Sequence, residues 1–171
     1  MNQELRNLKN SILEGRYDDA LFIVDELESM SKEYNLNKIR FYVIRMLSKI
    51  IKIQIEHHLT NYSKASISES LNNIKNLNCK DNKNYYYVKP NEWSKILKES
   101  LEQSLDLASV EVLDGTIEPE KISEIIDKNQ LFEISQELLN LTYEYSPNEL
   151  TQIIRQKLTQ LFGIKKWQKK N

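Results

Sequence analysis

The sequence predicts an all-α protein, an irregular helical bundle of about seven or eight helices, with a helical hairpin at the N-terminus and a long central helix. Three observations carry this prediction. The 171 residues include only three Gly and three Pro, too few turn-formers for a sandwich or barrel. Apolar residues recur at three- and four-residue spacing in one segment after another. Most of these segments begin or end at a residue suited to a helix terminus. With 40% apolar and 29% charged residues, the chain is too apolar for disorder and long enough to bury one core without disulfides.

The first helix carries Leu5, Leu8 and Ile12 and stops at Gly15, which suits a left-handed cap. Asp18 and Asp19 then sit where the helix dipole favours acids, and Ala20, Ile23, Val24, Leu27 and Met30 share one face, completing a hairpin. From about Leu36 to Leu59, Ile39, Val43, Ile44, Met46, Leu47, Ile50, Ile51, Ile53 and Ile55 predict a central helix buried on nearly every side. Ser66 and Glu69 have capping-box spacing ahead of Leu71, Ile74 and Leu77.

Residues 78–88 form a polar loop running into an extended aromatic strap, Tyr85-Tyr86-Tyr87-Val88. Alternation along an extended backbone predicts at least one strap tyrosine buried and one exposed. Pro90 opens a helix with the stripe Trp93, Leu97, Leu101, Leu105, Ala108 and Val112, ending near Gly115. Pro119 opens a short helix with Ile122, Ile125 and Ile126. Another beyond Asn129 carries Leu131, Ile134, Leu138, Leu141 and Tyr145. Ser146, Pro147 and Glu149 combine a capping box with proline in the first turn, and launch Leu150, Ile153, Ile154, Leu158, Leu161 and Phe162 up to Gly163. The expected organisation is one domain over residues 1–162, or two lobes, 1–77 and 89–162, joined by the strap, with a flexible basic tail at 163–171. Leu13-Glu14-Gly15 and Leu113-Asp114-Gly115 are alike as local helix stops, but no period of about 34 residues recurs to make a solenoid.

The net charge of -1 provides no global field for phosphate polymers. A single cysteine, Cys79, excludes an intrachain disulfide and a thiolate-cluster zinc site and fits a reducing compartment. No stretch approaches roughly 18 uninterrupted apolar residues and the N-terminus has no leader pattern, so the expected location is the cytoplasm, with no membrane span.

Several stretches together resemble a bacterial family known as domain of unknown function 29, abundant in phototrophs. They are Leu13-Glu14-Gly15-Arg16-Tyr17-Asp18-Asp19-Ala20-Leu21, Val24-Asp25-Glu26-Leu27-Glu28-Ser29-Met30-Ser31, Asn37-Lys38-Ile39-Arg40, Ile50-Ile51-Lys52-Ile53-Gln54-Ile55-Glu56, Ser66-Ile67, the strap before Pro90, and Ala108-Ser109-Val110-Glu111-Val112-Leu113-Asp114-Gly115. The similarity spans most of residues 12–140 and rests on the order and spacing of motifs that are unspecific singly. It implies an all-helical fold and no established activity. Members carry a His in the middle of the long helix and a Trp shortly before the Ser-Ile pair, where this chain has Lys49 and Ser63.

Candidate chemistry is sparse. Glu56-His57-His58 is the one cluster of metal-ligand types, but adjacent helical residues point about 100° apart and no third His exists. No metal, cofactor or catalytic residue is therefore expected. Asp18, Asp19, Asp25, Glu26 and Glu28 read as a solvated face rather than an acid-base pair. Lys38, Arg45, Lys49 and Lys52 share a narrow stripe of the long helix. They would meet phosphate or an acidic partner, or pair with the acidic second helix, which is the favoured reading. The tail Lys165-Lys166-Trp167-Gln168-Lys169-Lys170 would suit an anionic surface or single-stranded nucleic acid, and otherwise reads as a solubilising terminus.

The resulting functional expectation is a non-enzymatic helical protein that binds another protein or itself, its partner surface including Tyr85, Tyr86, Tyr87, Lys38, Arg45, Lys49 and Lys52. The alternative is a nucleic-acid-associated accessory protein using the basic stripe or tail.

Overall fold

A computed structural model describes residues 2–80 and 85–163. They form α1 (Asn2–Leu13), α2 (Tyr17–Glu56), α3 (Asn61–Asn78), β1 (Cys79–Lys80), β2 (Tyr85–Tyr86), α4 (Trp93–Glu111), α5 (Pro119–Ile125), α6 (Lys128–Glu144) and α7 (Pro147–Phe162), with 3-10 turns at Pro90–Glu92 and Val112–Gly115. The all-α class holds. The strap supplies a two-residue antiparallel ladder, Cys79 opposite Tyr86 and Lys80 opposite Tyr85. Contacts divide the chain into two compact units, residues 1–37 and 38–171, so the loop and strap lie inside the second.

In the first unit, α1 ends as its sequence predicts. Gly15 adopts φ +75°, Arg16 N–H donates to Ser11 O at 2.8 Å and Gly15 N–H to Ile12 O at 3.2 Å. These are the two bonds of a Schellman stop, and they satisfy carbonyls that the helix end would leave open. The Arg16 guanidinium spans Glu14 and Asp19 at 2.8 and 2.9 Å, tying the stop to the start of α2.

One expectation is corrected here. The segment carrying Ala20 to Met30 and the segment from Leu36 are a single helix, α2, of 40 residues. No Gly or Pro stands between Tyr17 and Glu56, so nothing there costs the helix enough to stop it. It ends before Leu59, at His57, which takes φ +53° while its N–H donates to Ile53 O at 2.9 Å.

In the second unit, Ile39, Val43, Met46, Leu47, Ile50, Ile51 and Ile53 of α2 are fully buried, as a helix apolar on nearly every side requires. Helix α3 packs on α6 and α7, and α4 packs on α5 and α6. Ile67, Leu71, Trp93, Leu97, Leu105, Leu138, Ile154 and Leu158 complete this core, each contributing roughly 1.5–3 kcal/mol by leaving water.

Serine is the unexpected core residue. Of the thirteen buried polar residues among the described ones, nine are Ser, which makes hydroxyl satisfaction a condition of packing. Ser48, Ser100, Ser104 and Ser135 each donate to a carbonyl three or four residues back in their own helix, at 2.6–2.7 Å. With the hydroxyl consumed locally, each serves its neighbour as a small residue.

Helix starts follow side-chain chemistry, with two corrections. Helix α3 begins five residues before Ser66, because Thr60 Oγ1 accepts the Ser63 N–H at 3.0 Å. Ser66 is buried within the helix and Glu69 faces Arg45. Helix α7 does start at Pro147, but Ser146 offers its backbone carbonyl to Glu149 and Leu150 rather than a side-chain cap. Asp127 caps α6 by accepting from Gln130 N–H at 3.0 Å, and Gly163 ends α7 as expected.

The chain reversal between α3 and α4 is held by one polar node. Asn78 is 2% exposed. Its Oδ1 accepts Val88 N–H at 2.7 Å, and its Nδ2 donates to Val88 O at 3.0 Å and to the Tyr143 hydroxyl at 3.1 Å. Tyr143 OH donates in turn to Val88 O at 2.6 Å and accepts from Trp93 Nε1 at 2.7 Å. The end of α3, the strap, the start of α4 and the last turns of α6 thereby meet at four residues.

Asn78→Ala is expected to cost about 3 kcal/mol, since it orphans the buried Val88 N–H and an acceptor site on its carbonyl together; urea unfolding with an unchanged m-value measures this. Burial raises the Tyr143 hydroxyl's pKa from its ordinary value of 10.0, partly opposed by the Trp93 and Asn78 hydrogen bonds. The folded state therefore holds this proton more tightly than the unfolded one. Its contribution is complete below about pH 10 and is lost as pH rises through the folded pKa. The stability gap between wild type and Tyr143→Phe should accordingly narrow above about pH 10, and unfolding midpoints from pH 8 to 11 check it.

Candidate protein-interaction surface

The expected site residues do not form one surface. Tyr85 is 70% exposed, while Tyr86 and Tyr87 are half-buried. Tyr86 meets the Tyr143 ring edge-on, centroids 4.7 Å apart. The fully buried strap side chain is Val88, not a tyrosine.

The basic stripe turns toward neighbouring helices. Lys49 is 2% exposed; its Nζ pairs with Glu111 Oε2 of α4 and lies 4.6 Å from the Tyr62 ring centroid. Arg45 donates to Ser66 Oγ at 3.3 Å and reaches Glu69 at 3.5 Å, both on α3. Lys52 is half-buried, and Lys38 is exposed and engaged in an interaction of its own. The favoured pairing with the acidic second helix is thus corrected. That segment is the same helix, and the carboxylates that meet Arg45 and Lys49 come from α3 and α4.

His57 and His58 are exposed at the end of α2, and among the described residues no three His, Cys, Asp or Glu side chains gather as a metal site. An open groove of about 520 Å³ between α3 and α7 is lined by Lys64, Ser68, Glu69, Asn72, Thr151 and Arg155, with Asn72 bonded across it to Thr151 at 3.0 Å. Its side chains already bond one another or face solvent. The basic tail lies outside the described residues. No helix among them is long and apolar enough to cross a membrane.

The N-terminal hairpin is different. Eight of the fifteen exposed large apolar side chains among the described residues lie within residues 1–37, although this unit is about a fifth of the chain. The reason lies in the side that α1 presents. Asn7, Asn10 and Ser11 of α1 and Glu14 after it share a depression with Phe22 and Ile23 of α2, and the buried residues of the hairpin are Ser11 and Ala20. Leu8 of the α1 stripe lies about 60° around the helix from Ser11 and is half-buried, whereas Leu5 and Ile12 lie about 100° or more away and are 49% and 51% exposed. On α2, Met30 and Tyr34 are exposed to 58% and 60%, and Leu21 and Phe22 both to 62%. Single exposed apolar residues are ordinary, but this concentration on α1 and the first half of α2 is the feature that marks interaction surfaces.

Compared with known proteins, the chain matches no family model, no curated protein and no solved structure.

Sequence periodicity found the α1 stripe and the α2 face but assigned them to a core. In the second unit, Lys49 is a structural cation whose pairing can be tested. Glu111 is partly exposed, so Glu111→Ala should cost about 2 kcal/mol, between the values for surface and buried pairs. The double variant Lys49→Met/Glu111→Leu should regain most of that loss, as thermal and urea denaturation of the three proteins will measure.

Proposed function

We propose that this chain is a non-enzymatic helical protein that works by binding another protein, or a second copy of itself, through the apolar face of its N-terminal hairpin. The observation that carries this reading is the exposure of Leu5 and Ile12 on α1 together with that of Met30 and Tyr34, which share one side of α2. Leaving that surface in water costs about 25 cal/mol per Å² relative to covering it. Tyr and Met suit the role, since one offers rigid area with a polar tip and the other adapts its shape.

The engagement of Lys49 and Arg45 with Glu111 and Glu69 favours the protein-binding reading over a nucleic-acid contact through the helix stripe. A cytoplasmic location remains the proposal that fits a lone cysteine. The motif order that resembles domain of unknown function 29 supports placing the chain in that family, and neither assignment alters the interaction reading.

Substituting Met30 and Tyr34 with Ser, singly and together, is expected to leave the melting temperature within about 3 °C, because exposed positions change stability by about 0.5 kcal/mol or less. The same variants should abolish partner capture or self-association, read by native affinity capture and by sedimentation velocity. Wild-type association in the double variant would remove this face from the function.

A further inference from the structure

Resting on that reading, we propose that the occupant of the face is a basic amphipathic helix of a partner protein, lying along the first half of α2. Two features of residues 17–37 point to it. The first is spacing. Ala20, Ile23, Leu27, Met30, Tyr34 and Asn37 follow one another at intervals of 3, 4, 3, 4 and 3 residues, the seam of a helix built to meet another helix along its length. A face packed into a globular core carries a wider stripe. Ala20 is covered within the hairpin, Ile23 and Leu27 are half-buried, and Met30, Tyr34 and Asn37 are exposed, so the seam opens progressively toward Asn37.

The second feature is charge. Residues 17–37 hold six carboxylates and one ammonium, that of Lys32. In the seam's register, Asp19, already bridged to Arg16, and Glu26 and Glu33 fall on one flank, and Val24, Ser31 and Lys38 on the other. Flanking charges choose a helix's partner and its direction. A second copy fits less well than a basic helix. Antiparallel, it sets Glu26 and Glu33 against their own counterparts; parallel, it sets Glu26 beside Ser31 and pairs only Glu33, with Lys38. A helix with leucines on its seam and lysines beside it satisfies both the apolar strip and the acidic flank.

The test uses the full chain and two synthetic helical peptides with identical leucine seams, one flanked by lysine and the other by glutamate, titrated by fluorescence anisotropy at low and high salt. The lysine peptide is expected to bind at least tenfold more tightly than the glutamate peptide, with the difference shrinking as salt rises. Glu26→Lys/Glu33→Lys should reverse the preference. Met30→Asp should lose the lysine peptide even though it adds an acidic charge, a result that general attraction between opposite charges cannot give.

Equal binding of both peptides through Met30 would overturn the basic-partner proposal and leave the interaction face standing. If neither peptide binds while sedimentation shows a dimer that Met30→Asp dissociates, the occupant is a second copy and the proposal fails. If neither peptide binds and the chain stays monomeric, both the proposal and the helix-docking reading fall. Lysine-peptide binding unaffected by Met30→Asp would likewise overturn the proposal, by placing the contact elsewhere.

Discussion

The amide of Asn78 is the constraint on which the second unit's connectivity depends. A chain leaving α3 must reverse and enter α4 after fourteen residues, and Val88 is buried where it does so. Buried peptide groups need partners, and no regular element continues through Val88 to provide them. Asn78 supplies both, accepting from the Val88 N–H and donating to its carbonyl. The amide's remaining hydrogen goes to Tyr143, whose hydroxyl also receives the Trp93 indole. Because each member satisfies another, the node is stabilising as a set, and the apolar stripes of α3, α4 and α6 are delivered in register by a few polar atoms.

Serine plays a related part on the helix faces. A bundle whose buried polar positions are mainly Ser brings helices close without large side chains between them, and the hydroxyls of Ser48, Ser100, Ser104 and Ser135 are accepted by their own helices, while Ser70 Oγ is buried without a partner. This arrangement leaves the large apolar residues of α2 to fill the centre. The N-terminal hairpin uses the same small-residue contact, Ser11 and Ala20, with the opposite result. There Leu8 is only half-buried, and Leu5 and Ile12 of the same stripe are left about half exposed. Similar local chemistry thus builds a core in one unit and an unpaired apolar face in the other.

Most of the helical organisation was legible in the sequence. Gly15, Pro90, Pro119, Pro147 and Gly163 mark the element boundaries they were expected to mark, and Ile39 to Ile53 form the widely buried segment. The readings that failed depended on a competing local partner. Ser66 and Glu69 have cap spacing, yet Thr60 offers an oxygen at the right place nearly two turns earlier and Arg45 draws the later pair into a tertiary contact. The candidate site was less legible. The lysine and arginine of the stripe looked available because their partners, Glu69 and Glu111, lie 24 and 62 residues farther along the chain from Arg45 and Lys49. Tyr143 drew no notice because a tyrosine near a helix end has no distinguishing spacing.

By itself, the sequence determined what depends on neighbours within a turn or two: helix content, where helices start and stop, which faces are apolar, and the crowding of acids along the first half of α2. Only tertiary structure decided which apolar faces found a cover and which charges found a counter-ion. Periodicity states that a stripe prefers to leave water, but it is silent on what the stripe meets. Leu71 and Leu5 carry the same spacing signal, and one is fully buried while the other is half exposed. The difference lies in the facing elements. Helices α6 and α7 pack against α3, whereas within the hairpin only Ser11 and Ala20 are buried and Leu5 is left half in water.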